Sequence, residues 1–176
     1  FSQNQASSDG GALWAAQNCS ITATDCSFEQ NNASASGGAM YCDGTTVDMR
    51  GCSFRKNSAK GAGALQCDSC GSVEMANCLF AQNQATGGSG GVMFASNGTS
   101  VFVRGCTFYG NQAGSYGGVL CLEQGSSGDV DNSIIWDNIA ASGADVVRVA
   151  DASSHIDFDH CCLPSKAQDV DRFAGN

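Results

Sequence analysis

The chain has 176 residues, enough for one ordinary domain, and 42% of them are apolar, so it can bury a core. Its 8 basic and 17 acidic residues give a net charge of −9, which excludes a non-specific grip on nucleic acid or on an acidic membrane surface. No run approaches the ~18 apolar residues of a membrane-spanning helix, and no secretory leader is visible in the sequence.

The first element is Phe1-Ser2-Gln3-Asn4. Phe-x-x-Asn returns at Phe28–Asn31, Phe54–Asn57, Phe80–Asn83 and Phe108–Asn111, and Ile135 replaces Phe before Asn138. The spacings are 27, 26, 26, 28 and 27 residues. A second motif interleaves with the first. It reads Gly10-Gly11-Ala12-Leu13, Gly37-Gly38-Ala39-Met40, Ala62-Gly63-Ala64-Leu65, Gly90-Gly91-Val92-Met93 and Gly117-Gly118-Val119-Leu120, with a worn copy at Gly143-Ala144-Asp145-Val146. Two interleaved motifs at one period mark a repeat architecture. The chain opens in the middle of a repeat, so the first rung is expected to continue into a longer protein or to dock on a partner.

Within each unit apolar residues alternate rather than recurring at helical spacing. Val47 and Met49 precede Cys52 and Phe54; Val73 and Met75 precede Cys78 and Phe80; Val101 and Val103 precede Cys106 and Phe108. Gly, Ser, Thr and Asn are abundant and helix formers are few. The pattern predicts about three short strands per unit, which is one rung of an all-β, single-stranded parallel β-helix of about six rungs. Ile21, Val47, Val73 and Val101 then form one inward column, and Leu13, Met40, Leu65, Met93 and Leu120 another. The Phe residues form a third.

Asn4, Asn31, Asn57, Asn83, Asn111 and Asn138 read as a structural ladder at a turn. Asn tolerates the left-handed conformation, and its amide can bond the equivalent group one rung away. The paired glycines read as a tight bend with positive φ, not a phosphate cradle, because no Lys-Ser/Thr follows them.

The chain has 11 Cys, spread singly, which points to an oxidising compartment. Buried free thiols packed as small hydrophobes in a reducing one are the alternative. The odd number leaves at least one thiol free or paired outside the chain. Cys26, Cys52, Cys78 and Cys106 fall two residues before the Phe position and form one column of disulfide candidates. Cys42 and Cys67 form a second. Stacked rungs bring their Cα atoms ~4.8 Å apart, inside the disulfide window. Bridges along a column or across the core both remain open. Cys67-x-x-Cys70 lacks the second ligand pair of a zinc site and the helix N-terminus of a redox motif.

The pairing of Gly-Gly-Ala-(Leu/Met) with Phe-x-x-Asn resembles the repeats of the polymorphic outer membrane proteins of Chlamydiae, also found in large secreted proteins. The resemblance covers residues 1 to about 145. It implies a right-handed β-helix passenger displayed outside the cell and used in adhesion. The translocating β-barrel of that family, with its alternating lipid-facing strands, has no counterpart here.

Residues 1–145 are thus expected to be the repeat region. Residues 146–176 are expected to hold an irregular last rung, a cap and a polar terminal segment from Ser165. His155-Ile156-Asp157-Phe158-Asp159-His160 alternates like a strand, and Cys161-Cys162-Leu163-Pro164 ends it. Nine of the fourteen Asp lie from Asp129 onward, without an EF-hand loop or a Ca²⁺-binding nonapeptide. His155, Asp157 and Asp159 share one face, which reads first as ordinary surface strand.

Asp48, Arg50, Glu74 and Arg104 occupy alternate outward positions, and Asp129, Asp131 and Arg148 lie further along. A carbohydrate-active β-helix enzyme, such as a polysaccharide lyase, glycosidase or epimerase, would draw its acids and bases from such positions. They read more simply as cross-rung ion pairs. The Thr22, Thr24, Thr45 and Thr46 cluster does not extend into the regular Thr face of an ice binder. Sequons occur at Asn18, Asn32 and Asn97; Asn97 falls at a turn and, with Asn32, is a candidate glycan site. The sequence therefore predicts a secreted or cell-surface, disulfide-reinforced, non-catalytic rod without a cofactor. Its role is scaffolding or adhesion, its partners protein or cell-surface glycan, with end-to-end contacts to neighbouring subunits. A glycan-binding module or an enzyme is the alternative.

Overall fold

The computed structural model describes residues 1–142 and 146–163, and the backbone of Val170–Asp171. Among the described residues there are strands, turns and bends and no helix, and none is therefore long and apolar enough to cross a membrane.

Each circuit of the chain lays one strand in each of four parallel sheets. Sheet I collects Gln5–Ala6, Asn32–Ala33, Ser58–Ala59, Gln84–Ala85, Gln112–Ala113 and Ile139–Ala140. Sheet II collects Leu13–Ala16, Met40–Asp43, Leu65–Asp68, Met93–Ser96, Leu120–Leu122, Val147–Val149 and Val170–Asp171. Sheet III runs through Ser20–Thr24, Thr46–Arg50, Ser72–Ala76, Ser100–Arg104, Ser127–Asp131 and His155–Asp159. Sheet IV holds Ser27–Glu29, Ser53–Arg55, Leu79–Ala81, Thr107–Tyr109 and Ile134–Trp136. The solenoid has about six turns, and at ~4.8 Å per rung it is a rod roughly 30 Å long. Four strands per rung replace the three that the alternation predicts. Sheet I is the addition: its strands are two residues long, too short for a period of two to show.

The register stacks like on like. Phe28, Phe54, Phe80 and Phe108 are successive Cα partners, ending on Ile135. Their rings stack 4.6, 5.0 and 5.1 Å apart, and all are buried. The Leu13, Met40, Leu65, Met93 and Leu120 column continues into Val147. The Ile21, Val47, Val73 and Val101 column passes through Gly128 to Ile156. The space at Gly128 is filled by its neighbours: a Cβ there would lie 3.0 Å from Ile156 Cγ1 and 3.1 Å from Leu122 Cδ1.

The two glycines of the Gly-Gly motif serve different ends. The first has positive φ, as in Gly37 (66°) and Gly90 (74°). The second lets rungs approach closely: a Cβ on Gly63 would meet the Gly91 carbonyl and lie 2.8 Å from the backbone N and C of Gln84.

Sheets II and III continue past residue 145 through Val147–Val149 and His155–Asp159, and Cys162 bridges to Ile134. The worn Gly143–Asp145 copy, Pro164 and most of the segment from Ser165 lie outside the described residues.

Candidate functional site

The Asn column is closed on itself. Asn57 Nδ2 donates to Asn83 Oδ1 at 2.9 Å and to the Phe28 carbonyl at 2.9 Å, while its backbone N–H donates to Asn83 Oδ1 at 3.0 Å. The same three bonds recur at Asn31, Asn83 and Asn111. Asn4 repeats the two bonds to the next amide, and Asn138 donates to the Phe108 carbonyl. Asn31, Asn57, Asn83 and Asn111 are buried. The left-handed residue of this turn is the one before each Asn: Gln3, Gln30, Lys56, Gln82, Gly110 and Asp137, with φ between 53° and 63°. The Asn itself is not left-handed, contrary to the expectation from the sequence. Its place is set by the carboxamide, which satisfies a buried turn.

All eleven cysteines stand as free thiols, Cys26, Cys52, Cys78, Cys106, Cys42 and Cys67 included, so no bridge joins the candidate columns in this structure. Cys42 and Cys67 are Cα partners in sheet II. In the other column each thiol donates to carbonyls. Cys78 Sγ reaches the Met49 and Ala76 carbonyls at 3.5 and 3.4 Å, and Cys106 Sγ those of Met75 and Arg104 at 3.4 and 3.5 Å. Ser133 continues the column with a hydroxyl bonded to the Asp131 carbonyl at 2.9 Å, and Cys161 follows. These side chains act as short caps on the turn between sheets III and IV. The sequence reading missed Cys161 because its rung carries no Phe to set the frame.

Cys70 lies beside Cys67 and Thr45 in the core. The hydrogen bond from Cys67 and those at Thr45 outweigh desolvation and lower Cys70 to about 6, while Cys67, bonded to Cys42 and Cys70, is raised. Cys70 is 1% exposed, so its thiolate is walled off from solvent reagents.

The outward face of sheet III carries the charged residues. Arg50 Nε lies 3.1 Å from Asp48 Oδ1, and an Arg50 terminal nitrogen lies 4.0 Å from Glu74 Oε2. With Phe102 and Arg104 these groups line a shallow groove of about 260 Å³. The groove offers two carboxylates with a guanidinium between them. Asp129 and Asp131 follow on the next rung.

His155, Asp157 and Asp159 alternate outward as expected, but their donor atoms do not come together as one set. The structure gathers Asp131, Asp159 and His160 instead, with donor atoms within 4.8 Å of one another. His160 Nδ1 is 2.9 Å from Asp159 Oδ1 and 3.9 Å from Asp131 Oδ1. The set offers one imidazole nitrogen and two carboxylate oxygens. It is the one such group among the described residues.

Asn97 is exposed at a turn with φ 56°, and its sequon partner Thr99 is buried, donating to the Ser96 carbonyl at 2.7 Å. Asn32 is exposed in sheet I. The sequence reading also passed over Tyr109 and Trp136, which follow the Phe column. Earlier rungs carry Glu29, Arg55 and Ala81 at that outward position.

In comparisons with known proteins, the family described as right handed beta helix region matches residues 1–135. No curated protein and no solved structure matches the chain.

Proposed function

Because the chain belongs to the right-handed β-helix family, we propose that it works as a non-catalytic rod outside the cell, a scaffold or adhesion module that presents its sheet faces to protein or glycan. The observation that carries this reading is the unbroken register from the first rung to the sixth. The turns between strands are short throughout, so no long loop walls off a cleft among the described residues. The Gly-Gly-Ala-Leu and Phe-x-x-Asn repeats that resemble adhesive passengers, the 11 Cys and the exposed sequon at Asn97 support an extracellular setting. End-to-end contact with neighbouring subunits suits a solenoid, because any terminal rung left uncapped exposes unpaired strand edges.

The enzyme reading draws on the groove of Asp48, Arg50, Glu74 and Arg104. Its carboxylates would serve as acid and base. The close Arg50 pairing favours the non-catalytic alternative, since Asp48 is already engaged by a side chain of its own strand. Incubation with homogalacturonan, alginate, chitin and xylan decides the matter. The expected result is no new reducing ends and no unsaturated products. A product that forms with the native chain and is lost in Asp48→Asn or Glu74→Gln would falsify the rod reading. Intact mass before and after reduction and glycosidase treatment tests the setting. An Asn97-linked glycan is expected, and its absence together with eleven free thiols, the state they have in the structure, would move the protein to a reducing compartment.

A further inference from the structure

One outward edge of the solenoid differs from the rest. At the turn between sheets IV and I every rung places a left-handed residue with a side chain, except at Gly110. The gap opens a notch between Gln82 below and Asp137 above. A Cβ at Gly110 would meet nothing closer than Gln82 Cγ at 3.7 Å, so the notch is real space. It forms a groove of about 300 Å³, within the range of small-ligand sites. Tyr109 walls one side, and Gln84, Gln112 and Ile139 the other.

Exposed large apolar side chains gather beside this notch; Phe1 and Trp14, exposed by 60 and 62%, stand apart on the first rung. Tyr109, Ile134, Trp136 and Ile139 are exposed by 46, 50, 53 and 53%, all on the fifth and sixth rungs. Lower rungs present Glu29, Arg55 and Ala81, or Ser27, Ser53 and Leu79, or Asn32 and Ser58 at the same positions, so none carries an aromatic there. Four exposed apolar side chains side by side make a contiguous patch, and such a patch marks a contact site.

We propose that this notch binds a neutral oligosaccharide, with a sugar ring seated over Gly110 and its C–H face against Tyr109 and Trp136. The side chains of Gln82, Gln84 and Gln112 are exposed and make no hydrogen bond among the described residues. Each amide is neutral and offers donors and an acceptor, which matches hydroxyls that donate and accept. Asp137 is the one charged group in the lining, and it accepts hydroxyl protons while repelling phosphate or uronate. Gln84 and Gln112 are ladder partners ~4.8 Å apart, close to the length of one sugar unit in an extended chain. A protein knob large enough to cover the apolar residues would bury these amides unpaired, at a cost a glycan avoids.

The proposal rests on the non-catalytic reading above, and its test separates the two. In Trp14→Phe protein, Trp136 is the sole indole. Cellohexaose, xylohexaose, mannohexaose and chitohexaose are titrated while its emission is followed, with oligogalacturonate as the acidic control. At least one neutral sugar is expected to give a saturable shift with Kd on the order of 1 mM, and the control none. Gly110→Gln fills the notch in a conformation Gln already adopts at positions 3, 30 and 82, with φ of 55° to 57°. It should keep the melting temperature and weaken binding by about tenfold or more; Tyr109→Ala should weaken it likewise. No saturable shift up to about 10 mM, or binding that survives Gly110→Gln, overturns the site and leaves the rod reading intact. A shift that tracks protein concentration without sugar, with a dimer in sedimentation, assigns the face to a second copy and also overturns it. Sugar recovered at unchanged mass supports both readings. Shortened sugar with binding retained overturns the non-catalytic reading alone.

Discussion

At the residue scale, burial sets the chemistry of the cysteines. Burial and the Glu123 carboxylate push Cys121 up to about 12, and Cys67 and Cys78, each bonded to a neighbouring thiol, are raised as well. A thiol raised in the folded state favours the protonated form there. Its contribution is whole below the unfolded value of 9.0 and is lost as pH rises through the folded one. Cys70 has the opposite sign: it is lowered to about 6, so its contribution is present above 9.0 and is lost as pH falls towards 6. Cys106, bonded to Cys78, is lowered as well, but the raised thiols, Cys52, Cys67, Cys78, Cys121 and Cys161, outnumber the two. The urea midpoint of the reduced protein should therefore drop between about pH 8 and pH 10.5. Cys121→Ser should flatten part of that drop. A midpoint constant over this range would show that the thiols titrate alike in both states. The Asn ladder gives a second expectation. Asn83→Ala takes the Asn83 carboxamide from the Asn57 backbone N–H and from the Phe54 carbonyl, and leaves Asn57 Nδ2 with the Phe28 carbonyl alone. The loss should be about 2–4 kcal/mol in denaturant unfolding; under about 1 kcal/mol would mean water replaces the amide.

At the element scale, the columns were legible because each repeats one residue type at a fixed spacing. Phe28 to Phe108 and Val47 to Val101 announce their sheets this way. What stayed hidden had no repeated signal. Sheet I has one inward Ala per rung, and Ala33 or Ala59 carries no pattern in two residues. The shift of the left-handed position from Asn to its predecessor was hidden too, since Gln, Lys, Gly and Asp share no type. The exchange of bulk between Gly128 and Ile156 needed three dimensions. It predicts coupling. Gly128→Val alone should overpack and destabilise by about 1–3 kcal/mol. Adding Ile156→Ala should recover part of that, with a coupling of about 1 kcal/mol or more in a double-mutant cycle. Strict additivity would place the two side chains out of contact.

At the scale of the whole molecule, the repeat fixes the interior and leaves the exterior free. The Phe, Val and Asn columns face inward or into turns, and one rung constrains the next. Outward positions such as Glu29, Arg55, Tyr109 and Trp136 face water and vary from rung to rung. The fold was therefore plain in the sequence and the candidate site was not. The charged face of sheet III was partly legible, because Asp48, Glu74 and Arg104 follow the period of two. The notch at Gly110 was not, since one glycine among 23 carries no mark of its own.

The backbone hydrogen bonds between rungs run along the rod axis. A pull on the two ends therefore loads the gaps between rungs in series, while the four sheets and the Asn ladder share each gap in parallel. The rod should yield one coil at a time, starting at the gap with the fewest bonds. Each coil of 26–28 residues should release roughly 90 Å of slack. In single-molecule extension the trace should be a sawtooth whose teeth count the coils. A single rupture would mean that the coils break together. Tethered between two surfaces, such a chain would lengthen stepwise under strain and hold its grip, as an overload link rather than a rigid strut.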